Sequence, residues 1–300
     1  MVRTVSDWRV ECPVSPKDDN VSPQIRQLDR RIEDINSCHY EIGEMLGEGG
    51  FGAVYEGSRL EDNFKVAVKY VTKTDDVEYI SILGHPKLFP VEVTLLILAN
   101  KGSRVPEIIQ LLDWKEQPDH YIMVMERPLP CEDLFAFAEC HGGSINEVLA
   151  RVVMQQATQA AVMCCRRGVL HRDIKLENLL VNMDTLEVKL IDFGCGDVLR
   201  KSAYKTFRGT DEYCPPEYER KGKYHGKTAT VWSLGVLLFA MVCGDYPDTQ
   251  DLDLINLHHW SKPGLTKEFC HLIHRCLQRK PKQRIRLGQI LLHNWFKVLK

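Results

Sequence analysis

Six polar residues, His171, Arg172, Asp173, Lys175, Glu177 and Asn178, are packed into the stretch GVLHRDIKLENLLV between two apolar runs. Folding alone gives no reason to set so much charge beside GVL and LLV. The stretch is either a solvated loop or a place where charges converge on a substrate. A second stretch with chemical potential is LGEGGFGAV, in which Gly47, Gly49 and Gly52 are followed by Val54. It lies between two strand patterns, whereas a dinucleotide-binding or Walker loop needs a helix next. Glycines in a hairpin let backbone N–H groups approach a phosphate closely, although a plain glycine-rich turn reads the same way. VAVK then puts Lys69 on the neighbouring strand, with Ala67 on the same face. Glu92, on the helix that follows, is the expected partner that would hold Lys69 toward the phosphates.

The elements that must position these groups can be read from periodicity. Alternation in YEIGEML, AVYEGSRL and FKVAVKYV predicts strands over 39–71. FPVEVTLLILAN has helix character, and IIQLLDWKEQPDHYIMVME reads as two strands joined by a Pro-Asp turn. The first lobe is then a small antiparallel sheet with one helix. After ERPLP the period changes. SINEVLARVVMQQATQAAVMCC predicts a long helix opened by a capping box of Ser144 and Glu147. LEVKLIDFG is a short strand and the remainder is mainly helical, with Phe269, Leu272, Ile273, Cys276 and Leu277 on one stripe. Residues 1–38 are polar and show no sustained period, so a largely disordered extension is expected there.

Composition excludes some function classes. The 300 residues carry a net charge of -2, so no global basic field recruits nucleic acid or anionic lipid, while local patches of either sign stay open. The cysteine count is odd at 11, no CxxC pair occurs, and MVRTVSDWRVECPVS lacks an apolar signal core. Reduced, mostly buried thiols in a cytoplasmic protein, with the nucleus as a second compartment, are therefore expected, and no zinc site. VWSLGVLLFAMVCG is the longest strongly apolar stretch; it reads as too short to span a bilayer and as a helix buried all round.

Six motifs occur in one order: the glycine loop, VAVK, HRD, Lys175 with Asn178, DFG at 192–194 and PPE at 215–217. Together they resemble the eukaryotic protein kinase family from about Tyr40 to Phe296, nearly the whole chain past the extension. The resemblance implies a bilobal α+β fold, with an N-lobe over about 40–126 and a C-lobe over about 127–296, and ATP with Mg²⁺ between them. Asp173 is then the acceptor of the proton of a substrate hydroxyl, and Lys175 neutralises charge on the moving phosphoryl group. Asn178 and Asp192 are oxygen ligands suited to Mg²⁺, a hard cation. Leu46, Val54, Ala67, Leu180 and Ile191 are expected to line the ATP site with the three glycines, Lys69 and Glu92. The Glu126 carbonyl would accept from the adenine amino group, while Pro128, two residues on, has no N–H to give. Thr210 of RGT would link the activation segment to Asp173 and Lys175. HRDIK with GT…PPE favours Ser/Thr over Tyr, and Glu217 of PPE is expected to pair with Arg284 as a structural contact.

ERPLPCEDLF, GVLHRDIKLEN, KLIDFGCGDVL, YCPPEY and YHGKTATVWSLGVLLFAMVCGDYP are together similar to the Pim family of Ser/Thr kinases. Most kinases carry Asp before VWSLG; Thr230 stands there, and Pim kinases also lack that Asp. The resemblance implies protein substrates with arginines upstream of the Ser or Thr. Asp133, Glu177, Asp245 and Asp251 match the family's acidic substrate contacts. Leu176 and Ala136 replace two further family acids, so the basic preference is expected to be weaker than in close Pim relatives. KSAYKTFRGT holds no acid between Asp197 and Asp211, so Arg172 is expected to lack a built-in anion. Phosphorylation of Thr206, Ser202 or Tyr204 would supply one, or packing alone would hold the segment. A nucleotide-binding pseudokinase scaffold is the alternative function, but it would need a broken Lys69, Asp173, Asn178 or Asp192, and none is broken. A small-molecule phosphotransferase and an interaction module built on residues 1–38 are further alternatives. The protein is expected to be monomeric, without nucleic-acid or membrane partners.

Overall fold

The computed structural model describes residues 31–50, 52–74, 77–81 and 87–297. They form two compact units, one with the chain up to Glu78 and Gln110–Leu129, the other with Tyr79–Ile109 and the chain from Pro130 onward.

In the first unit, strands β1 (Arg31–Ile35), β2 (Cys38–Gly49), β3 (Gly52–Arg59) and β4 (Lys65–Thr72) pair antiparallel in sequence order. The second unit contributes two short strands, β5 (Tyr79–Ser81) and β6 (Leu88–Pro90). β7 (Leu111–Glu116) and β8 (His120–Glu126) then complete the first unit's sheet in the order β1-β2-β3-β4-β8-β7. Period-two alternation decides the faces. Val66 and Val68 turn into a core with Ile35, Tyr40, Ile42, Ile122 and Val124, so Ala67 and Lys69 fall on the other face. The two ends of the sheet meet: Asn36 Nδ2 donates to the Trp114 carbonyl at 3.2 Å and Lys115 Nζ to the Asp34 carbonyl at 2.7 Å.

β1 corrects the expectation of an unstructured 1–38. Asn36 adopts φ 51°, which suits the two-residue hairpin turn between Ile35 and Cys38, and Ile35 is fully buried. One buried apolar residue with a turn asparagine is too weak a signal for a strand by alternation. The rest of the extension, residues 1–30, lies outside the described residues.

The second unit carries α1 (Val91–Asn100), α2 (Leu134–Cys140), α3 (Glu147–Arg166), α4 (Pro216–Lys221), α5 (Gly226–Cys243), α6 (Thr249–Asn256) and α7 (Lys267–Cys276). α3 starts differently from the expected capping box. Asn146 is the cap, accepting from the N–H groups of Val148 and Leu149 at 3.0 Å each. Glu147 instead accepts from Thr266 and from Trp295 Nε1, tying α3 to the start of α7 and to the turn Asn294–Lys297. α5 is longer than the apolar run suggested. Its 18 residues, with mean hydropathy 1.5, suffice by length and composition to cross a membrane, yet 78% of them are buried inside the protein. The stripe Phe269, Leu272, Ile273, Cys276 and Leu277 is buried as expected. Cys164, Cys165, Cys195, Cys270 and Cys276 are buried free thiols.

Short strands set the polar stretch in place. β9 (Cys131–Asp133), β11 (Leu179–Asn182) and β12 (Val188–Leu190) form one small sheet, and β10 (Val169–Leu170) pairs with β13 (Asp197–Val198). The apolar runs flanking HRDIKLEN are therefore β10 and β11, with Val169, Leu170, Leu179 and Val181 buried.

Candidate active site

The loop from His171 to Asn178 is held at both ends by buried strand, so its polar groups have little freedom. Four donors converge on Asp173. Its Oδ1 accepts from the Thr210 N–H and from Thr210 Oγ1, both at 2.9 Å. Its Oδ2 accepts from Asn178 Nδ2 at 3.0 Å and lies 3.4 Å from Lys175 Nζ. Lys175 Nζ also donates to Thr210 Oγ1 at 2.8 Å, closing a ring of contacts among residues up to 37 positions apart. Asn178 Nδ2 donates a second bond to the Asp173 carbonyl at 2.8 Å, which commits its amide nitrogen and orients Oδ1 away from the carboxylate.

His171 braces the loop. Its Nδ1 accepts from the Asp173 N–H at 3.3 Å, so Nε2 carries the proton and donates to the Ile191 carbonyl at 2.9 Å. Burial holds its pKa below the ordinary histidine value, keeping the ring neutral as this pairing requires. Phe193 of DFG packs edge-on against the ring at 4.7 Å. Asp192, at φ 57°, accepts from the Gly194 N–H at 3.2 Å. Leu180, on β11, faces Asp133 and Lys189 across the small sheet. Glu92, on α1, is buried.

The remaining nucleotide-site candidates belong to the first unit. Gly47 pairs with Val54, Val54 with Lys69, and Ala67 with Met125, so these positions form consecutive rungs of one sheet. Leu46, Gly47 and Gly49 are exposed, and Lys69 is buried with 6% exposure, unlike an ordinary solvent-facing strand lysine. Gly52 has no alternative: at φ 130° an added Cβ would lie 2.0 Å from the Tyr70 carbonyl oxygen. The Glu126 N–H donates to the Gln110 carbonyl at 3.0 Å, and its carboxylate accepts from the Gln110 N–H at 3.0 Å. Arg127 beside Glu56, at 2.6 Å, holds that carboxyl below the usual carboxylate range.

The activation segment overturns two expectations. Arg172, at φ 71°, does have a built-in anion: Nη1 lies 3.6 Å from Asp197 Oδ2, which also pairs with Arg200 at 3.2 Å. Its other donors reach the Cys195 and Gly196 carbonyls. That acid sits just after DFG, upstream of KSAYKTFRGT. Tyr204 is fully buried, donates to the Val198 carbonyl at 2.7 Å and stacks on Tyr224 at 5.3 Å. It is a packing residue and not an accessible phosphorylation site; Ser202 and Thr206 remain exposed. Thr230 Oγ1 donates to the Gly226 carbonyl at 3.0 Å within its own helix.

The acidic candidates differ in availability. Asp133 caps α2 through the Ala136 N–H at 2.8 Å, whereas Glu177 is exposed. Asp245 and Asp251 line one pocket of about 280 Å³, together with Asp248, which sequence reasoning missed. Asp251 is already engaged: Oδ1 accepts from Trp260 Nε1 at 2.8 Å, and Oδ2 from the Asp248 N–H at 3.2 Å in the capping box of α6. Asp245 and Asp248 are exposed. Glu217 and Arg284 form the expected pair through two parallel bonds, both side chains buried.

A sheet carrying a glycine hairpin and a buried lysine, and a helical unit carrying an HRD loop with its aspartate clamped by a downstream threonine, define a protein kinase. The chain belongs to that family, and the family's Protein kinase domain model matches residues 40–296. Within it the chain is a Pim-like serine/threonine kinase. It is 43% identical over 265 residues to "Serine/threonine-protein kinase pim-2" of Danio rerio, covering 85% of this chain and 84% of that protein. It is 40% identical to "Serine/threonine-protein kinase prk-2" of Caenorhabditis elegans, covering 86% of this chain and 58% of that longer protein. "Testis-specific serine/threonine-protein kinase 2" of Mus musculus is 34% identical, over 85% of this chain and 73% of that protein.

Proposed function

We propose that this kinase transfers the γ-phosphoryl group of Mg²⁺-ATP to Ser or Thr hydroxyls that follow arginines, with Asp173 as the base and Lys175 as the counter-charge. The observation that carries the reading is the Asp173 carboxylate fixed by Thr210, Asn178 and Lys175. A base that does not reorient can meet an incoming hydroxyl without a reorganisation cost. Lys175, bonded to Thr210 and beside Asp173, couples formation of the peptide-side segment to the charge that offsets the moving phosphoryl group.

Asn178 and Asp192 fit a hard divalent cation. Both offer oxygen, and the two bonds made by Asn178 Nδ2 commit its nitrogen and orient its oxygen outward. When bound, Mg²⁺ would supply neutralisation of the phosphate charge. Lys69, Glu92, the Gly47–Gly52 hairpin, Leu46, Val54, Ala67, Glu126, Leu180 and Ile191 are the residues proposed to hold ATP.

The basic preference rests on Glu177, Asp245 and Asp133, with Asp248 added and Asp251 contributing less because its oxygens are taken. Leu176 is buried, so no acid there strengthens the preference. A monomeric protein of the cytoplasm or nucleus, without nucleic-acid or membrane partners, completes the proposal. Residues 40–126 and 127–296 are proposed as the two lobes. The test is phosphate transfer from Mg²⁺-ATP to an Arg-rich Ser peptide, to its Arg-free counterpart, and by Asp173→Asn. Transfer to the first peptide should exceed transfer to the second, and both should fall by about 10²–10⁴ in the variant. Equal use of the two peptides would overturn the basic preference, and undiminished transfer by the variant would overturn the role of Asp173.

A further inference from the structure

From His274 to Arg286 the chain carries Arg275, Arg279, Lys280, Lys282, Arg284 and Arg286, and no acidic residue. The fold sorts these cations into two groups. Arg279 pairs with Asp253 at 2.5 Å, and Arg284 is neutralised by Glu217. The other four are exposed; Lys280 lies outside the pocket that follows, and among the described residues no hydrogen bond or ion pair engages the side chains of Arg275, Lys282 and Arg286.

These three line a pocket of about 390 Å³, together with His258, three glutamines and the neutralised Arg284. No carboxylate is among the lining residues, and none of them belongs to the candidate active site. The pocket is built into the backbone. The Ile285 N–H donates to the Arg275 carbonyl at 2.8 Å, and the Arg284 N–H to the Pro281 carbonyl at 3.3 Å. Arg284 Nε donates to the Gln278 carbonyl at 2.8 Å. The end of α7, the turn Pro281–Gln283 and the segment after it are thereby fixed around one concavity.

Three like charges around a concavity repel one another, and an anion inside relieves that repulsion. Two guanidinium forks, an ammonium and the exposed amides of Gln283 and Gln289 supply many donors, while Gln278 Nε2 is held by the His274 carbonyl at 2.7 Å. That set suits a group with three acceptor oxygens and close to two negative charges better than a carboxylate with one charge. The volume falls in the range of about 300–1,000 Å³ typical of small-ligand sites. We infer that this pocket binds a phosphoryl dianion, carried by a phosphorylated Ser or Thr side chain of a peptide or by a small phosphate compound. The inference does not depend on the proposed substrate preference, since it concerns binding away from the catalytic aspartate.

The experiment is fluorescence anisotropy of the full chain with a labelled, arginine-free phosphoserine peptide, alongside its unphosphorylated twin. Wild type should bind the phosphopeptide saturably and the twin far more weakly. Arg275→Gln and Arg286→Gln should each weaken binding about tenfold, the loss of one charge-assisted contact. Both should leave Ser-peptide phosphorylation and the thermal midpoint unchanged. Lys282→Gln is a third, independent surface variant with the same expectation should either arginine variant fold poorly. Complete displacement by inorganic phosphate would assign the site to free phosphate compounds; resistance to it would assign the site to the peptide. Equal binding of the two peptides, undiminished binding by the variants, or no saturable binding of either phosphopeptide or inorganic phosphate would overturn the inference.

Discussion

Replacing Glu217 with alanine should destabilise the helical unit by about 3–5 kcal/mol, the cost of leaving a buried charge without its partner. The Arg284 side chain is 0% exposed and that of Glu217 only 6%. Two parallel bonds join them, at 2.9 and 2.5 Å. Without Glu217 the guanidinium keeps its bonds to the Gln278 and Thr228 carbonyls, at 2.8 Å each, and its place 4.9 Å from the Trp232 ring centroid. It then has hydrogen-bond acceptors but no counter-ion. Burial already pulls the Arg284 pKa down against the opposing pull of Glu217, so removing the carboxylate removes the main force that keeps the cation there. For a unit of this size the thermal midpoint should fall by roughly 6–20 °C. Calorimetry reads that fall. Phosphotransfer per folded molecule, measured below both transitions, should be unchanged, because neither residue touches the catalytic loop. Replacing both residues by methionine removes both charges and should recover most of the loss. A single-variant fall under about 2 °C, or a double variant no more stable than the single one, would refute the reasoning.

Other consequences are accessible to the same enzyme preparation. Thr210→Ala removes one bond to Asp173 and one from Lys175, and should lower kcat about tenfold with KM for ATP unchanged, while Thr210→Ser restores it; an unaffected kcat would remove Thr210 from positioning. Thr206→Ala and phosphatase-treated wild type should keep full activity, because Asp197 already faces Arg172; a loss in either would place the required anion on Thr206. His293, stacked on His271, has its pKa pushed down to about 4, by burial first and His271 second. The folded state therefore resists a proton that the unfolded state takes up below about pH 6.5, so stability is lost as pH falls from there toward 4. His293→Gln should flatten that part of the denaturation profile, and an unchanged slope would contradict the assignment.

The sheet and the candidate catalytic loop were legible in the sequence for different reasons. β4 was legible by alternation because Val66 and Val68 turn into the core while Ala67 between them is only half-buried, whereas β8 is buried on both faces and was legible as an apolar run following a Pro-Asp turn. The loop was legible because its residue types are improbable beside buried strands and recur with the other motifs in fixed order. What escaped was decided by contacts distant in sequence. β1 has one buried apolar residue and gains its place from bonds to the far strand β7, Asn36 donating to the Trp114 carbonyl and Lys115 of β7 to the Asp34 carbonyl. The start of α3 reads as a capping box of Ser144 and Glu147, but Asn146 caps it, and Glu147 is drawn away by Thr266 and Trp295, more than a hundred positions on. The anion for Arg172 was missed because it comes from β13, paired to β10 just before the loop, and not from the segment preceding Thr210.

The net charge of -2 describes the whole chain and conceals how its charge is deployed. Asp245, Asp248 and Asp251 share one pocket, and Arg275, Lys282 and Arg286 share another. Each set is made of groups whose carriers lie close in sequence, held together by a capping box in one case and by a turn tied to α7 in the other. At physiological salt a surface charge is screened beyond about 8 Å. A peptide arginine at the acidic pocket or a phosphoryl group at the basic one therefore responds to the local set and hardly at all to the sum. Near-neutrality argues against recruitment by a global field, as it did from composition alone. It does not argue against selective binding of cations and anions at separate places on the same unit, and the pairing of Arg279 and Arg284 with acids while three neighbouring cations stay unpaired is how one surface comes to keep both.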